Sequence, residues 1–525
     1  MELVAGETVG IDLGTVYSTV AQLNADGIPT VLKNTSEKNI TASAIVLNDD
    51  STALIAPDRS QYIYSPERVI TGVKRKMGDA KFHVTHGERE LNAEVLSAMI
   101  LRKLKQDAEQ HIGLIGNAVI TVPYYFNDVC RRSTYNAGRM AGLNVIDIIN
   151  EPTAATLAHA WMNGDLGRID EAADKEKTLL VYDLGGGTFD VTLVRYTATH
   201  FQVIATDGDV LLGGLDWTER LANFVGEKFL EKHGVNPNDD PVGKFDLMQI
   251  CEDAKRCYSE KSEVVIDVSY IQKYLTLRVP HQQYMEITAD LLQRTQDTTE
   301  LVLQTAKIAP EEVDELLLVG GSTYLPEVSK MLSDLCQRKV TRLLDPQLAV
   351  AQGAAIHAAI IEAKETEGAG HIGKAVLKRL KAITSVDVNP HSLGVVISDS
   401  KDPKILRNHI MIPRNSSLPA GVEQRFVTTL NNPEGIRIKL LEGEAESPSA
   451  CTFIGSVRIR NLPPGIPAGS PVEVSYRYNE QRKIIVSARE LSTNSEATVE
   501  IVWEGLSPNN SFEALQALNE FYRVE

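Results

Sequence analysis

The sequence predicts a two-lobed α/β domain followed by an all-β domain, and three observations carry that reading. Val9–Thr15 (VGIDLGT, resuming as a strand at Ser18) and Leu179–Asp190 (LLVYDLGGGTFD) share one plan of strand, acid, glycine, threonine and strand. They lie about 170 positions apart, as expected of two related lobes that each offer a loop to one cleft. Around them strands alternate with helical stretches, the grammar of an α/β architecture. Later, Ile436, Ile438 and Leu440, then Val472, Val474, Tyr476 and Tyr478, alternate with polar residues between prolines and glycines. That is a domain of short strands, about 120 residues long.

Composition narrows the class. Over 525 residues, 43% are hydrophobic and 23% charged, values of an ordinary globular protein with several cores. The net charge of −17 argues against broad electrostatic binding to nucleic acid or anionic lipid. The five cysteines are odd in number and form no CxxC pair, so reduced thiols in a cytoplasmic setting are expected, without disulfides or zinc. MELVAGETVGIDLG lacks the features of a signal peptide, and no run approaches the ~20 apolar residues of a membrane span.

In chain order, the first glycine turn follows the strand ending at Asp12. Leu101–His111 reads as a helix, Asn117–Pro123 as a buried strand, and Arg131–Leu143 as a helix. Glu151-Pro152-Thr153 opens another helix, and Gly164–Lys177 is polar and acidic, a surface loop. At the second turn, Gly185, Gly186 and Gly187 can take positive φ and let a ligand approach the backbone. Successive N–H groups in such a turn bind anions, and Asp183 can hold Mg²⁺ or its waters. A plain hairpin would use these glycines for its turn alone; the repeat at Asp12 argues against that.

After Leu211-Leu212-Gly213-Gly214, helices are expected over Trp217–His233 and Asp246–Ser262. The second carries Glu252, Lys255, Arg256 and Ser259 at three- and four-residue spacing, which alone reads as a solvated face with an ion pair. Glu315–Val319 is a strand running into Gly320-Gly321-Ser322-Thr323, placed to hold a phosphate or sugar at a helix start. Leu348–Ala363 is an alanine-rich helix, and Lys364–Ala382 reads as a junction. Phe512, Leu515, Leu518 and Tyr522 form one face of a short final helix with Ser511 as its N-cap.

Seven motifs now stand in order: GIDLGTVYS, TVPYYFND, INEPTAA, YDLGGGTFD, LGGLD, CEDAKRCYS and VGGSTYLP. Together they resemble the seventy-kilodalton heat-shock chaperones of the DnaK type, from about Gly10 to about Ile501. The resemblance implies an actin-like two-lobed ATPase domain over residues 1–363 and a linker over 364–386. It further implies a β-sandwich for extended peptide over 387–505 and a short helix over 506–525 without the family's helical lid, naturally or by truncation.

By the same resemblance, Asp12, Gly14, Thr15 and Tyr17 match the first phosphate loop, where Val16 offers its backbone N–H, and Lys74 matches the lysine that positions the attacking water. Asp183, Gly185, Gly186, Gly187, Thr188 and Asp190 match the second loop with its magnesium and water acids, Mg²⁺ being held by Asp12 and Asp183 through water. Glu252, Lys255, Arg256 and Ser259 match the adenosine-binding helix, which reverses the solvated-face reading. Gly213, Gly214, Gly320, Gly321, Ser322 and Tyr324 complete the ATP or ADP pocket. Pro123, Arg131 and Glu151 match residues that couple nucleotide state to the peptide domain, and Val395, Phe426, Ile436 and Ile438 match the peptide channel, or else plain sandwich core.

The chain departs from the family in several places. Val16 replaces a threonine, removing a hydroxyl whose hydrogen bond is worth roughly 0.5–1.5 kcal/mol. Tyr324 stands where an arginine faces adenine, Gln347 where an aspartate is typical, and Ala382–Asp387 is poor in the usual linker aliphatics. The resemblance implies a slow Mg-dependent ATPase that binds extended apolar polypeptide, with J-domain and nucleotide-exchange partners. The alternative is a divergent member that binds ATP, hydrolyses it poorly and serves another chaperone.

Overall fold

The computed structural model describes residues 3–57, 68–167, 175–340, 343–365, 372–386, 389, 391–399, 402, 404–416, 419–429, 431, 435–460, 462, 466–478, 484–500 and 512–525. Ser511 and Asp387 therefore lie outside the described residues.

In the first lobe, strand Glu7–Asp12 runs parallel to Ile115–Val122 and antiparallel to Tyr17–Leu23. Asn144–Asn150 and Pro29–Leu32 flank these three, and Thr41–Ala42 pairs with the start of Tyr17–Leu23. Ile115–Val122 is buried at every position, as an internal parallel strand covered on both faces must be. Helices α1 (Ala93–Ile112), α2 (Asp128–Met140) and α3 (Glu151–Met162) belong to this lobe. Asn92 and Asn127 cap the first two, their side chains accepting from Val95 and Cys130 N–H groups.

The second lobe repeats the plan. Lys177–Leu184 is parallel to Glu315–Val319 and antiparallel to Phe189–Tyr196, which pairs in turn with His200–Asp209. Each glycine turn is thus the hairpin bend beside a parallel neighbour. Helices α4 (Gly214–His233), α5 (Pro241–Cys257), α6 (His281–Ala306) and α7 (Pro326–Cys336) complete this lobe. Helix α8 (Ala349–Glu365) returns to pack on α3 and on Glu7–Asp12. Small residues make that crossing close: a Cβ on Gly353 would lie 1.7 Å from the Ala154 carbonyl oxygen.

The expected linker is shorter than the sequence suggested. Lys374–Lys381 is a helix, α9, and Leu380 is buried with Ile372 and Ile383 in the core that holds Trp161. Arg379 lies 4.0 Å from the Trp161 ring centre and donates to the Leu166 carbonyl. The basic residues of KAVLKRLKA hid a helix with one buried stripe. Beyond it, Thr384–Val386 adds a fifth strand to the second lobe's sheet, with Thr384, Ser385 and Val386 opposite His200, Phe201 and Gln202. Backbone pairing needs no aliphatic run, so the segment docks despite its poor apolar content.

Among the described residues the β domain is two four-stranded sheets. One runs Leu406–Ile412, Leu393–Ser398, Gly435–Glu442, Thr452–Arg460; the other Ala420–Val427, Pro471–Tyr478, Ile484–Glu490, Ser495–Glu500. Leu393, Val457, Val474, Tyr476 and Val486 form the core between them. The domain touches both lobes: His391 Nε2 lies 2.7 Å from the Tyr125 carbonyl oxygen, and Arg414 donates to the Thr206 carbonyl at 3.1 Å. Helix α10 (Phe512–Phe521) does not stay with the β domain but packs on α1 and α2 of the first lobe. Among the described residues no helix is long and apolar enough to cross a membrane, and the five cysteines are free.

Candidate nucleotide site

A cleft of about 380 Å³ opens where the two glycine turns face each other. Their approach is measurable: a Cβ on Gly186 would fall 2.3 Å from Val16 Cγ2, and one on Gly187 2.5 Å from Thr15 Cγ2. Only glycine lets both loops reach the same space.

The second loop is tied back by its carbonyls. Gly185 O accepts from Gly214 N–H at 2.9 Å and from the Ser322 hydroxyl at 2.9 Å. Gly186 O accepts from Leu215 N–H at 2.8 Å, and Gly187 O from Arg75 Nε at 2.6 Å. In a planar trans peptide the next N–H points the opposite way. The amides of Gly186, Gly187 and Thr188 therefore turn from these donors, and Gly185, Gly186 and Thr188 line the cavity. In the first loop, Gly14 N–H donates to Ser18 Oγ at 3.1 Å and Val16 O accepts from Ser43 N–H at 2.8 Å.

Between the loops lies a buried charge cluster. Lys74, on a short turn after Gly72, ion-pairs with Glu151 at the start of α3. Burial works against the Lys74 ammonium, but Glu151, Asp12 and Asp183 outweigh it and hold its proton more tightly than usual. Burial raises Asp12 against the pull of Lys74 and of the Thr121 hydroxyl, which donates to it at 3.0 Å. Asp183 and Asp190 rise well above the ordinary range, through burial and then through neighbouring carboxylates. Asp190 Oδ1 is a buried oxygen without a donor. This excess of buried negative charge around Lys74 fits a divalent cation. Among the described residues no three such side chains are grouped to ligate one ion directly. Asp12 and Asp183 would hold Mg²⁺ with water and phosphate oxygens, as that ion prefers.

The far end of the cleft is built by α5 and by Gly320–Tyr324. Lys255 is buried and donates to Gly214 O at 2.7 Å, Thr218 Oγ1 at 2.9 Å and Glu252 at 2.7 Å. Burial opposes the Glu252 charge, yet Lys255, Thr218 and Arg256 hold it down to about 2. Arg256 also pairs with Glu252 at 3.0 Å and reaches across to the Tyr17 hydroxyl, its guanidinium 5.0 Å from that ring's centre. Tyr17 belongs to the first lobe and Arg256 to the second, so this contact spans the cleft. Tyr324 lines the cavity beside Gln347, and its hydroxyl donates to Asp345 at 2.8 Å. Ser259, Gly320, Gly321 and Ser322 line it too.

Three expected site residues, Gly187, Gly213 and Asp190, do not line the cavity and sit one layer back. Gly213 packs against the Gly187 backbone, 2.6 Å from where its Cβ would be, and Asp190 lies buried beneath the loop.

Comparison with known proteins gives this arrangement its kin. The family model for Hsp70 protein matches residues 8–524. The chain belongs to the Hsp70 family. It is 35% identical over 501 residues to chaperone protein DnaK of Thermotoga neapolitana, covering 94% of this chain and 79% of that one. It is also 32% identical over 502 residues to chaperone protein DnaK of Halobacterium salinarum, covering 94% and 74%.

The Hsp70 architecture, a two-lobed ATPase domain and a β-rich C-terminal domain, gives the remaining candidates a place. Arg131 donates to Asn150 Oδ1 at 2.6 Å and to Ile148 O at 2.8 Å, bracing the end of the strand Asn144–Asn150 that leads into Glu151. Pro123 O accepts from Phe126 N–H in the turn whose Tyr125 meets His391. Of the three coupling candidates, Glu151 belongs to the charge cluster, while Arg131 and Pro123 lie on its β-domain side. Two residues there escaped the sequence reading: His391 and Glu442, whose carboxylate accepts from Asp128 N–H at 3.3 Å. No motif flagged Glu442, a single acid ending a strand.

In the β domain, Phe426, Ile436 and Ile438 are partly exposed against the sandwich core. Val395 is 1% exposed and packs inside that core. Its strand alternates faces, and period alone does not say which face is inner. Phe426 meets His409 edge-on, with ring centres 5.4 Å apart.

Proposed function

We propose that this Hsp70 protein is an ATP-dependent chaperone that hydrolyses ATP slowly and binds extended apolar polypeptide in its β domain. The observation that carries the reading is the meeting of Val16 with Gly186 and Thr15 with Gly187 over the Lys74–Glu151 pair. Bound Mg²⁺ would supply charge neutralisation at the transferring phosphoryl group. This chain's residues do the rest. Loop amides bind phosphate oxygens, Thr188 and Lys74 orient the attacking water, and buried carboxylates accept its proton in a site where fixed charge counts strongly. Lys255 and Glu252, locked together, set the nucleoside end, while Arg256 and Tyr324 offer surfaces to the base. Extended apolar segments would lie along Phe426, Ile436 and Ile438 by backbone pairing and pocket filling. J-domain and nucleotide-exchange proteins are the partner classes this reading implies.

Single-turnover hydrolysis tests it. Wild type should convert bound ATP, and Lys74→Ala should slow that step at least a hundredfold while ADP affinity changes less than fivefold, the signature of a group used mainly in the transition state. Equal rates would remove Lys74 from the chemistry. ATP binding with no turnover by wild type would instead favour the member that serves another chaperone, a reading that the loss of a hydroxyl at Val16 supports.

A further inference from the structure

The chain leaves the ATPase domain through Thr384–Val386 on the second lobe, forms the sandwich, and comes back at Phe512 to the first lobe. The return is an integrated contact. Leu515, Tyr522 and Val524 are buried in the same core as α1 and α2, with Phe512 and Leu518 against it. Arg523 and Val524 run parallel to Thr52 and Ala53, through Arg523 N–H to Ser51 O at 3.1 Å, Glu525 N–H to Ala53 O at 3.0 Å, and Ile55 N–H to Glu525 O at 2.9 Å.

Polar groups fix the register. Asn519 is fully buried and donates from Nδ2 to Met140 O at 2.9 Å, the last residue of α2. Arg102 on α1 donates to the carbonyls of Asn519 at 3.0 Å and Tyr522 at 2.8 Å, where helix α10 ends. The Tyr522 hydroxyl lies 2.8 Å from His86 Nδ1. Arg89 sits 3.5 Å over the Phe521 ring and Arg139 4.5 Å over Phe512. The helix is thus held by α1 and α2, its end rings by Arg89 and Arg139, and the strand by Thr52–Ile55.

We propose that residues 512–525 act as a strap: a standing second anchor that keeps the β domain beside the ATPase domain whichever nucleotide is bound. Among the described residues none of its contacts touches the cleft lining, so none is made or broken by nucleotide directly. Release of Thr384–Val386 from the second lobe would then swing the sandwich about the strap rather than free it. A tethered domain faces its docking surface at an effective concentration set by the tether, so re-docking stays fast and intramolecular. This goes beyond the chaperone reading and does not depend on hydrolysis.

The test cuts the first connection and asks whether the second holds. A protease site placed at 387–388 of the full chain is cleaved after folding, and the product is sized by gel filtration in ADP and in ATP·Mg²⁺. The two pieces should co-elute in both nucleotides at micromolar concentration. With Leu515→Asp, and with the milder Asn519→Ala, the concentration at which they part should rise at least tenfold. Excess synthetic peptide of residues 512–525 should release the β-domain piece from the cleaved wild type, a readout independent of whether either variant folds. Separation of cleaved wild type, or co-elution unmoved by peptide and by Asn519→Ala, overturns the strap. Failure to bind ATP would count against the nucleotide reading and leave this result intact.

Discussion

Glu442 offers a sharp test of how the β domain docks. Its carboxylate is 7% exposed and accepts the Asp128 N–H across the domain boundary. Burial pushes its titration up from 4.5 to about 7, against the pull of His391 and with Asp128 adding to the rise. Arg131 and the Asp128 N–H pull down more weakly. A carboxyl raised on docking favours docking while protonated. Its contribution is complete below 4.5 and is lost as pH climbs through about 7.

At about 1.4 kcal/mol for each tenfold change in proton affinity, the full loss is roughly 3 kcal/mol. Between pH 6 and pH 8 the docking constant should fall about tenfold from this group. His391 acts in the same direction: burial lowers its value, but Glu444, Glu442 and the Tyr125 carbonyl outweigh it, so its support fades above its ordinary 6.5. Glu444, held at about 2, stays charged throughout. Glu442→Gln keeps an oxygen for Asp128 N–H and cannot ionise. Energy transfer between a donor on α4 and an acceptor on the sandwich reads docking directly. Wild type should show the full decline and Glu442→Gln a much shallower one. An undiminished tenfold decline in the Gln variant would refute the assignment.

Two further outcomes follow from cleft geometry. Gly186→Ala should weaken ADP binding by about 1–3 kcal/mol, because its methyl would fall 2.3 Å from Val16 Cγ2. Val16→Ala should restore much of that loss in the double variant, and calorimetric titration showing no rescue would break the pairing. Tyr324→Phe keeps the ring beside the cavity and should stay within threefold of wild type for ADP. Tyr324→Ala should lose about 0.5–1.5 kcal/mol beyond area, and equal affinities for the two would remove Tyr324 from base recognition.

Much of the cleft was legible because its chemistry is local. A strand, an acid and glycines at fixed spacing dictate a hairpin bend, and the motif occurs twice. The α5 residues looked like a solvated face, since spacing alone does not reveal that Lys255 is buried under Gly214. Other features are long-range and left little trace. The apolar face of 512–522 was visible, but its partners lie some 400 residues earlier in α1 and α2. Helix α9 read as a basic junction because one buried leucine among lysines and arginines makes a faint stripe. Val395 was read as channel or core for a related reason: in a sandwich, the inner face and a ligand channel use the same apolar alternation.

The parallel pairing of Thr384–Val386 with His200–Gln202 has a consequence for colloidal behaviour. Without it, His200–Gln202 would lie on the rim of the second lobe's sheet, with backbone donors and acceptors facing outward. Such a rim is a template for any extended chain, including another molecule's. The connector therefore also covers that rim, and its release would exchange an intramolecular strand for an open one. Conditions that loosen docking, alkaline pH among them, should raise self-association with protein concentration, and a soluble strand mimic of 384–386 should suppress it.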